Sequence, residues 1–272
     1  MSSSDEDAGD SLFGDFFVNT SYTSASLTFG DDESPAQRTL RLRVSTAACT
    51  DHDLTGQQTW PGARLLARFL AAQPDAFFRD CAACELGAGT GLAGLYYAAR
   101  GGDVTLTDAH KVVMALLRSN EGVAAAAAAE AAEAAAAQQA PTPPLAGRVR
   151  VAKLPWGSAR HGEAAMTAAG VAPRGFARLL GADILYPGSQ HSLPGLMASV
   201  TQLLAPDGEL LLCYCSRART TDVALAEALA QAGLRACVAP GGEEQPEGGV
   251  HGRVFRITRG GRGPADVRLE LS

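Results

Sequence analysis

From residue 82 onward, short apolar-weighted runs alternate with amphipathic segments, and this alternation constrains the chain more than any other feature. The runs lie at 82–86, 103–107, 149–154, 177–184, 209–214, 235–238 and 253–258, and helical spacing of apolar residues marks 92–100, 111–133, 192–204 and 221–232. A strand with apolar side chains on both faces needs cover on both sides, and helices after the strands supply it. The pattern therefore predicts an α/β fold, a doubly wound and mostly parallel sheet of seven strands.

Other segments decorate this unit. Residues 25–30 and 39–45 alternate apolar and polar side chains around an acidic turn with Pro35, which reads as an N-terminal β-hairpin outside the main sheet. Thr59 is placed to cap a helix with Pro61 in its first turn and Leu65, Leu66, Phe69 and Leu70 on its apolar face. Residues 1–24, rich in Ser, Asp and Gly, bury too little surface to offset ordering entropy and are expected to form a disordered acidic tail. The Ala/Pro-rich stretch 123–147 reads as a surface insertion without chemistry, 241–249 as a Gly/Glu-rich loop, and 260–272 as a C-terminal tail. One domain over 25–259 remains.

Composition narrows the function classes. The 272 residues are 46% hydrophobic, enough for one full core, but the long alanine run is broken by Glu130, Glu133, Gln138 and Gln139 before it reaches a membrane-spanning length. No membrane partner is expected. The opening Met1-Ser-Ser-Ser-Asp-Glu-Asp7 has neither the basic start nor the apolar core of a secretory signal, so a cytoplasmic address is expected, with the nucleus as a second one. A net charge of −6 disfavours duplex nucleic acid as a partner. The six cysteines are too sparse for a disulfide framework, and Cys81-Ala-Ala-Cys84 lacks a second pair at metal-ligand spacing. They read as reduced core thiols, with no metal.

The chemistry concentrates in Glu85-Leu-Gly-Ala-Gly-Thr-Gly91, a strand end followed by a glycine loop and a helix. Glycines there allow the tight bend and a close ligand approach, while the helix N-terminus presents unpaired N–H groups. A ligand-free tight turn would explain the glycines alone. Asp108, ending the next strand about 20 residues later, adds the carboxylate that meets ribose hydroxyls in nucleoside-binding α/β folds. Leu92 stands where a dinucleotide fingerprint has its last glycine, and Glu85 would repel a pyrophosphate but suit the amino group of a methionine moiety. Charge thus favours S-adenosyl-L-methionine over NAD.

The glycine loop with Val104-Thr-Leu-Thr-Asp108, Trp60-Pro-Gly-Ala63, Leu154-Pro-Trp-Gly157 and Ala182-Asp-Ile-Leu-Tyr186 resembles methyltransferase family 16, the protein-lysine methyltransferases of the seven-strand class. The resemblance covers roughly residues 40–258. It implies a Rossmann-like fold and S-adenosylmethionine-dependent methylation of a protein lysine. At matching positions Trp60, Gly87, Ala88 and Gly89 would border the methionine end of the cofactor, Asp108 the ribose, and Trp156 the adenine side. Ala182 would line the pocket, and Asp183 and Tyr186 would face the lysine. The partner expected is a protein substrate, with no direct nucleic acid and no membrane, and the chain acting as a monomer. Pro187 and the alanine insertion depart from the family pattern.

Bland readings and rival classes stand beside this one. Tyr214 and Arg217 resemble a family Tyr-x-x-Arg segment but fit a structural role equally well, and His110 suits solvent or the ribose better than catalysis. A dehydrogenase would want Lys four residues after Tyr186 or Tyr214, and neither has it. A small-molecule or other-residue methyltransferase, or a non-catalytic cofactor-binding scaffold, would share the fold.

Overall fold

A computed structural model of the chain describes residues 21–32, 34, 36–45 and 52–260. The tail expected at 1–24 lies outside these as far as residue 20, and Tyr22–Ser24 already belong to a strand; the tail expected at 260–272 lies outside them from residue 261. Strands β1 (Tyr22–Phe29) and β2 (Arg38–Ser45) form the expected hairpin, a separate two-stranded antiparallel sheet. A 3-10 turn at His52–Gln57 leads to α1 (Pro61–Ala71). Then follow β3 (Ala83–Leu86), α2 (Leu92–Ala99), β4 (Val104–Asp108), α3 (Lys111–Asn120), α4 (Val123–Ala137), β5 (Val149–Lys153), α5 (Ala159–Ala169) and β6 (Phe176–Ala182). The chain continues through α6 (Leu193–Leu203), β7 (Leu204–Tyr214), α7 (Arg219–Gln231), β8 (Leu234–Val238), β9 (Gln245–Glu247) and β10 (Val250–Arg259).

The main sheet has the order β5-β4-β3-β6-β7-β10-β8, with β9 paired to β10. Its strands are parallel except β10, which runs antiparallel to β7, β8 and β9. Growth proceeds from β3 outward through β4 and β5, then resumes on the other side of β3 with β6. Loops leaving β3 and β6 therefore diverge and open a crevice at their carboxyl ends. Leu66 and Leu70 of α1, Leu95 and Tyr96 of α2, Leu40 and Leu42 of β2, and Ala124 and Ala127 of α4 share one core. A second core joins Leu210 and Leu212 of β7 to Leu196 and Val200 of α6 and Leu225 and Leu229 of α7.

Several expectations need correction. Trp60, not Thr59, is the N-cap of α1 and makes no side-chain cap; the Thr59 hydroxyl instead sits 3.4 Å from that of Thr90. The helix expected over 111–133 breaks after Asn120. That fully buried side chain accepts the Arg43 N–H (2.8 Å) and donates to the carbonyls of Arg43 (3.1 Å) and Thr90 (3.0 Å), tying the hairpin to the glycine loop. Helix α4 is no mere surface insertion, because Ala124, Ala127 and Ala128 are buried against α2 and β2. By length and composition the stretch Lys111–Ala137 also meets the measure of a membrane span, but in this fold it is divided into α3 and α4 at Glu121-Gly122 and lays one face on the core. Helix α5 escapes the periodicity because only Gly162, Ala165 and Met166 of it are buried. Strand β7 starts at Leu204 rather than 209, and the loop at 241–249 contains β9. Cys84, Cys213 and Cys215 are buried thiols, Cys81 is half-buried, and Cys237 is exposed rather than in the core; Cys49 lies outside the described residues.

Candidate active site

The ten residues singled out in the sequence, Trp60, Glu85, Gly87, Ala88, Gly89, Asp108, Trp156, Ala182, Asp183 and Tyr186, all line one cavity of about 910 Å³ at the carboxyl ends of β3, β4 and β6. They come from five separate segments that only the parallel sheet brings together.

The glycine loop is shaped by its protein neighbours as well as by any ligand. Gly87 and Gly89 adopt φ of +60° and +55°, conformations that L side chains resist. A Cβ on Gly87 would stand 2.9 Å from Ile184 Cγ2 and 3.2 Å from the Trp156 ring, and one on Gly89 would stand 2.9 Å from the Gly56 carbonyl oxygen. Asp108 holds this loop in place: its carboxylate accepts the N–H groups of Gly89 (3.1 Å) and Ala109 (2.8 Å). Burial pushes the Asp108 carboxyl above its ordinary range, against the pull of those N–H groups. His110 Nδ1 accepts the Val112 N–H at 3.3 Å, so this ring caps α3.

Glu85 is 2% exposed and accepts the Gly94 N–H at 2.9 Å. Burial raises its pKa to about 8; the Gly94 bond opposes the shift and the neighbouring Asp108 adds to it. A cation placed beside Glu85 would favour its carboxylate form.

The opposite wall explains the Trp-Pro-Gly-Ala segment. Pro61 occupies the first position of α1, and Trp60, 39% exposed, donates its indole N–H to the Thr55 carbonyl at 2.8 Å. Gly62 donates its N–H to Asp183 Oδ2 at 3.0 Å, and a Cβ there would lie 2.9 Å from Asp183 Cβ, so the helix start can approach Asp183 only with glycine at this position. Trp156 is held against α6: Gly157 donates to the Ser199 hydroxyl at 2.8 Å, and a Cβ on Gly195 would lie 2.9 Å from the Trp156 carbonyl oxygen.

Asp183 sits in the left-handed region with φ of +57°, which costs a non-glycine residue about 1 kcal/mol or more. Its carboxylate is engaged on both oxygens by Arg217, through Nη1 and at 2.9 Å through Nη2, in addition to Gly62. The lysine-facing role expected for this carboxylate therefore meets a group already held by three protein donors. Arg217, for which the sequence left a family Tyr-x-x-Arg role and a structural role side by side, lines the same cavity. The Asp183 hydrogen bonds hold the Arg217 guanidinium above its ordinary range. Tyr186 is half-buried, its turn closed by the Ser189 hydroxyl, which accepts the Tyr186 N–H (2.9 Å) and donates to the Tyr186 carbonyl (2.7 Å). Alignment of bound partners, rather than a nucleophile of its own, is what this wall offers.

Comparison with known proteins identifies the family. EEF1A lysine methyltransferase 3 of Mus musculus is 32% identical over 161 residues, covering 59% of this chain and 56% of that protein. Protein N-lysine methyltransferase METTL21A of Mus musculus is 29% identical over 154 residues, covering 56% of this chain and 57% of that one, so the chain spans little more than half the length of these relatives. The crystal structure of a methyltransferase from Pyrococcus furiosus superposes with a TM-score of 0.50 at 16% identity, over 81% of this chain and 89% of that one, and shows the same fold. A family model described as lysine methyltransferase matches residues 40–231, and with that match over most of its length the chain belongs to the lysine methyltransferase family, methyltransferase family 16.

Proposed function

We propose that the chain methylates a lysine side chain of another protein, with S-adenosyl-L-methionine as cofactor. The observation that carries the reading is the single cavity in which the Gly87–Gly89 cradle, Glu85 and Asp108 meet Trp60, Asp183, Tyr186 and Arg217. Its volume lies within the range of small-molecule and cofactor sites, about 300–1,000 Å³. The donor set suits this cofactor: Glu85 answers an amino group, Asp108 answers ribose hydroxyls, and Trp60 and Trp156 offer aromatic surface. When bound, the cofactor supplies a methyl group on a cationic sulfur, open to displacement by an amine lone pair.

The chain's own residues then bind, orient and shelter. Gly87 and Gly89 keep the loop open to close approach, and Asp108 fixes that loop through the Gly89 N–H. Asp183, bound by Arg217 and Gly62, is a positioning residue that fixes the start of α1 and with it Trp60, rather than the acceptor of a lysine proton. Tyr186 flanks the incoming side chain. The names of the mouse relatives support a protein lysine over a small molecule, and EEF1A is the first acceptor to try. Incubating the full chain with methyl-labelled cofactor, first with EEF1A and then with a whole lysate, is expected to label a protein on lysine Nζ, located by mass spectrometry. Label on another residue type, or on no protein, would overturn the reading.

A further inference from the structure

A lysine ammonium is not a nucleophile until it loses a proton, and its ordinary pKa near 10.4 leaves little free amine at neutral pH. The cavity wall holds a charged pair whose members are unequally presented. The Asp183 side chain is 1% exposed, whereas that of Arg217 is 21% exposed. Both line the cavity, and the cation is the more exposed of the two.

Around the same cavity stand the carboxyl groups of Glu85 and Asp108 and the His110 ring, and further titratable groups pack about Arg217. On β7, Tyr214 is raised by burial and gives its hydroxyl to Asp222 of α7 at 2.6 Å, and Cys213 is raised by its hydrogen bond to Cys215 and by burial. On the α1 side Arg64 is paired with Glu247 of β9. Tyr186 and His191 share the cavity wall.

Building on the lysine-methylation reading, we infer that Arg217 is the residue that makes the substrate lysine reactive. Its guanidinium, held in place by Asp183, disfavours an ammonium at the reacting position and so lowers the pKa of the bound amine. The N–H bond breaks with its electron pair left on nitrogen, and the proton goes to water. That pair then forms the new N–C bond as the bond from the methyl carbon to the donor sulfur breaks. Arg217 touches none of these bonds and acts through its charge.

The kcat–pH profile tests this, since it reports ionisations within the enzyme–substrate complex. The acceptor is the protein that the wild-type chain labels. In Arg217→Met the midpoint of the acidic limb is expected to rise by about one pH unit or more, with the rate recovering toward wild type at high pH. Arg217→Lys keeps the charge and should keep the midpoint. The double variant Asp183→Asn/Arg217→Met leaves no unpaired buried carboxylate, so it carries the comparison should the single variant fail to fold, and its midpoint should rise as well. Rates lowered equally at every pH, with the midpoint unmoved, would show a merely structural ion pair and overturn the inference alone. A wild-type chain that labels no lysine would overturn it together with the reading beneath it.

Discussion

Burial sets the protonation of Glu85 against its task. The folded carboxyl titrates near 8 against an ordinary value of 4.5, so between those values the folded state holds a proton that the unfolded state has released. The stability this group contributes is present below about 4.5 and is lost as pH rises through 8. A ligand amine that selects the carboxylate form must expel the proton, so affinity for S-adenosylmethionine should rise by up to about tenfold between about pH 6 and about pH 7. Glu85→Gln should flatten that dependence in calorimetric titrations, and its melting temperature should gain on wild type as pH rises from about 6 to about 9. An affinity that ignores pH in the wild type would separate Glu85 from the ligand amine. Glu85 and Asp108 were legible in the sequence because each sits at a strand end beside the loop it serves. The Asp183–Arg217 pair was not, since its members stand 34 positions apart and meet only where β6 and β7 lie side by side.

At the scale of elements, α4 shows how composition misleads. Thirteen of its residues are Ala or Val, which reads as low complexity, yet small side chains are what let a helix lie close to α2 and β2. Ala127 is 3% exposed within the core, while its neighbour Ala126 faces solvent. Ala127→Asp buries a charge without a partner and should destabilise the fold by about 2–4 kcal/mol in chemical unfolding, whereas Ala126→Asp should change it by less than about 0.5 kcal/mol. Equal effects at the two positions would mean that α4 is dispensable after all. The same limit hid α5, whose only strong local marker is Gly170 in the left-handed conformation just past its end. Periodicity reports a wide apolar stripe, and a helix that buries only Gly162, Ala165 and Met166 does not have one.

For the molecule as a whole, the strand–helix alternation did carry the architecture: a parallel sheet covered on both faces needs it, and strands β3 to β6 and β8 begin or end within a residue or two of their expected positions. What local sequence could not show is the order of the strands, because β10 enters between β7 and β8 from the far end of the chain. A cofactor that binds only this assembled crevice stabilises the entire fold. S-adenosylhomocysteine at about a hundred times its Kd should add about 2.7 kcal/mol and raise the melting temperature by several degrees in differential scanning calorimetry. NAD at the same concentration should leave the melting temperature unchanged. A shift with NAD as large as with S-adenosylhomocysteine would undo the charge argument at Glu85.

The hairpin of β9 and β10 also sets a timetable. Glu247 of β9 is gripped by Arg64 and Arg68 of α1, and Gly248 lies against Pro61, beside Trp60 at the cavity mouth. The helix that carries Trp60 is translated long before the hairpin that braces it, and β10 can pair only after β7 and β8 have emerged. On the ribosome, then, the glycine loop and Asp108 emerge while the wall opposite them still lacks its brace. Until β9 and β10 are made, the nascent chain lacks the brace on one wall of its binding site, so capture of cofactor should follow the synthesis of that hairpin.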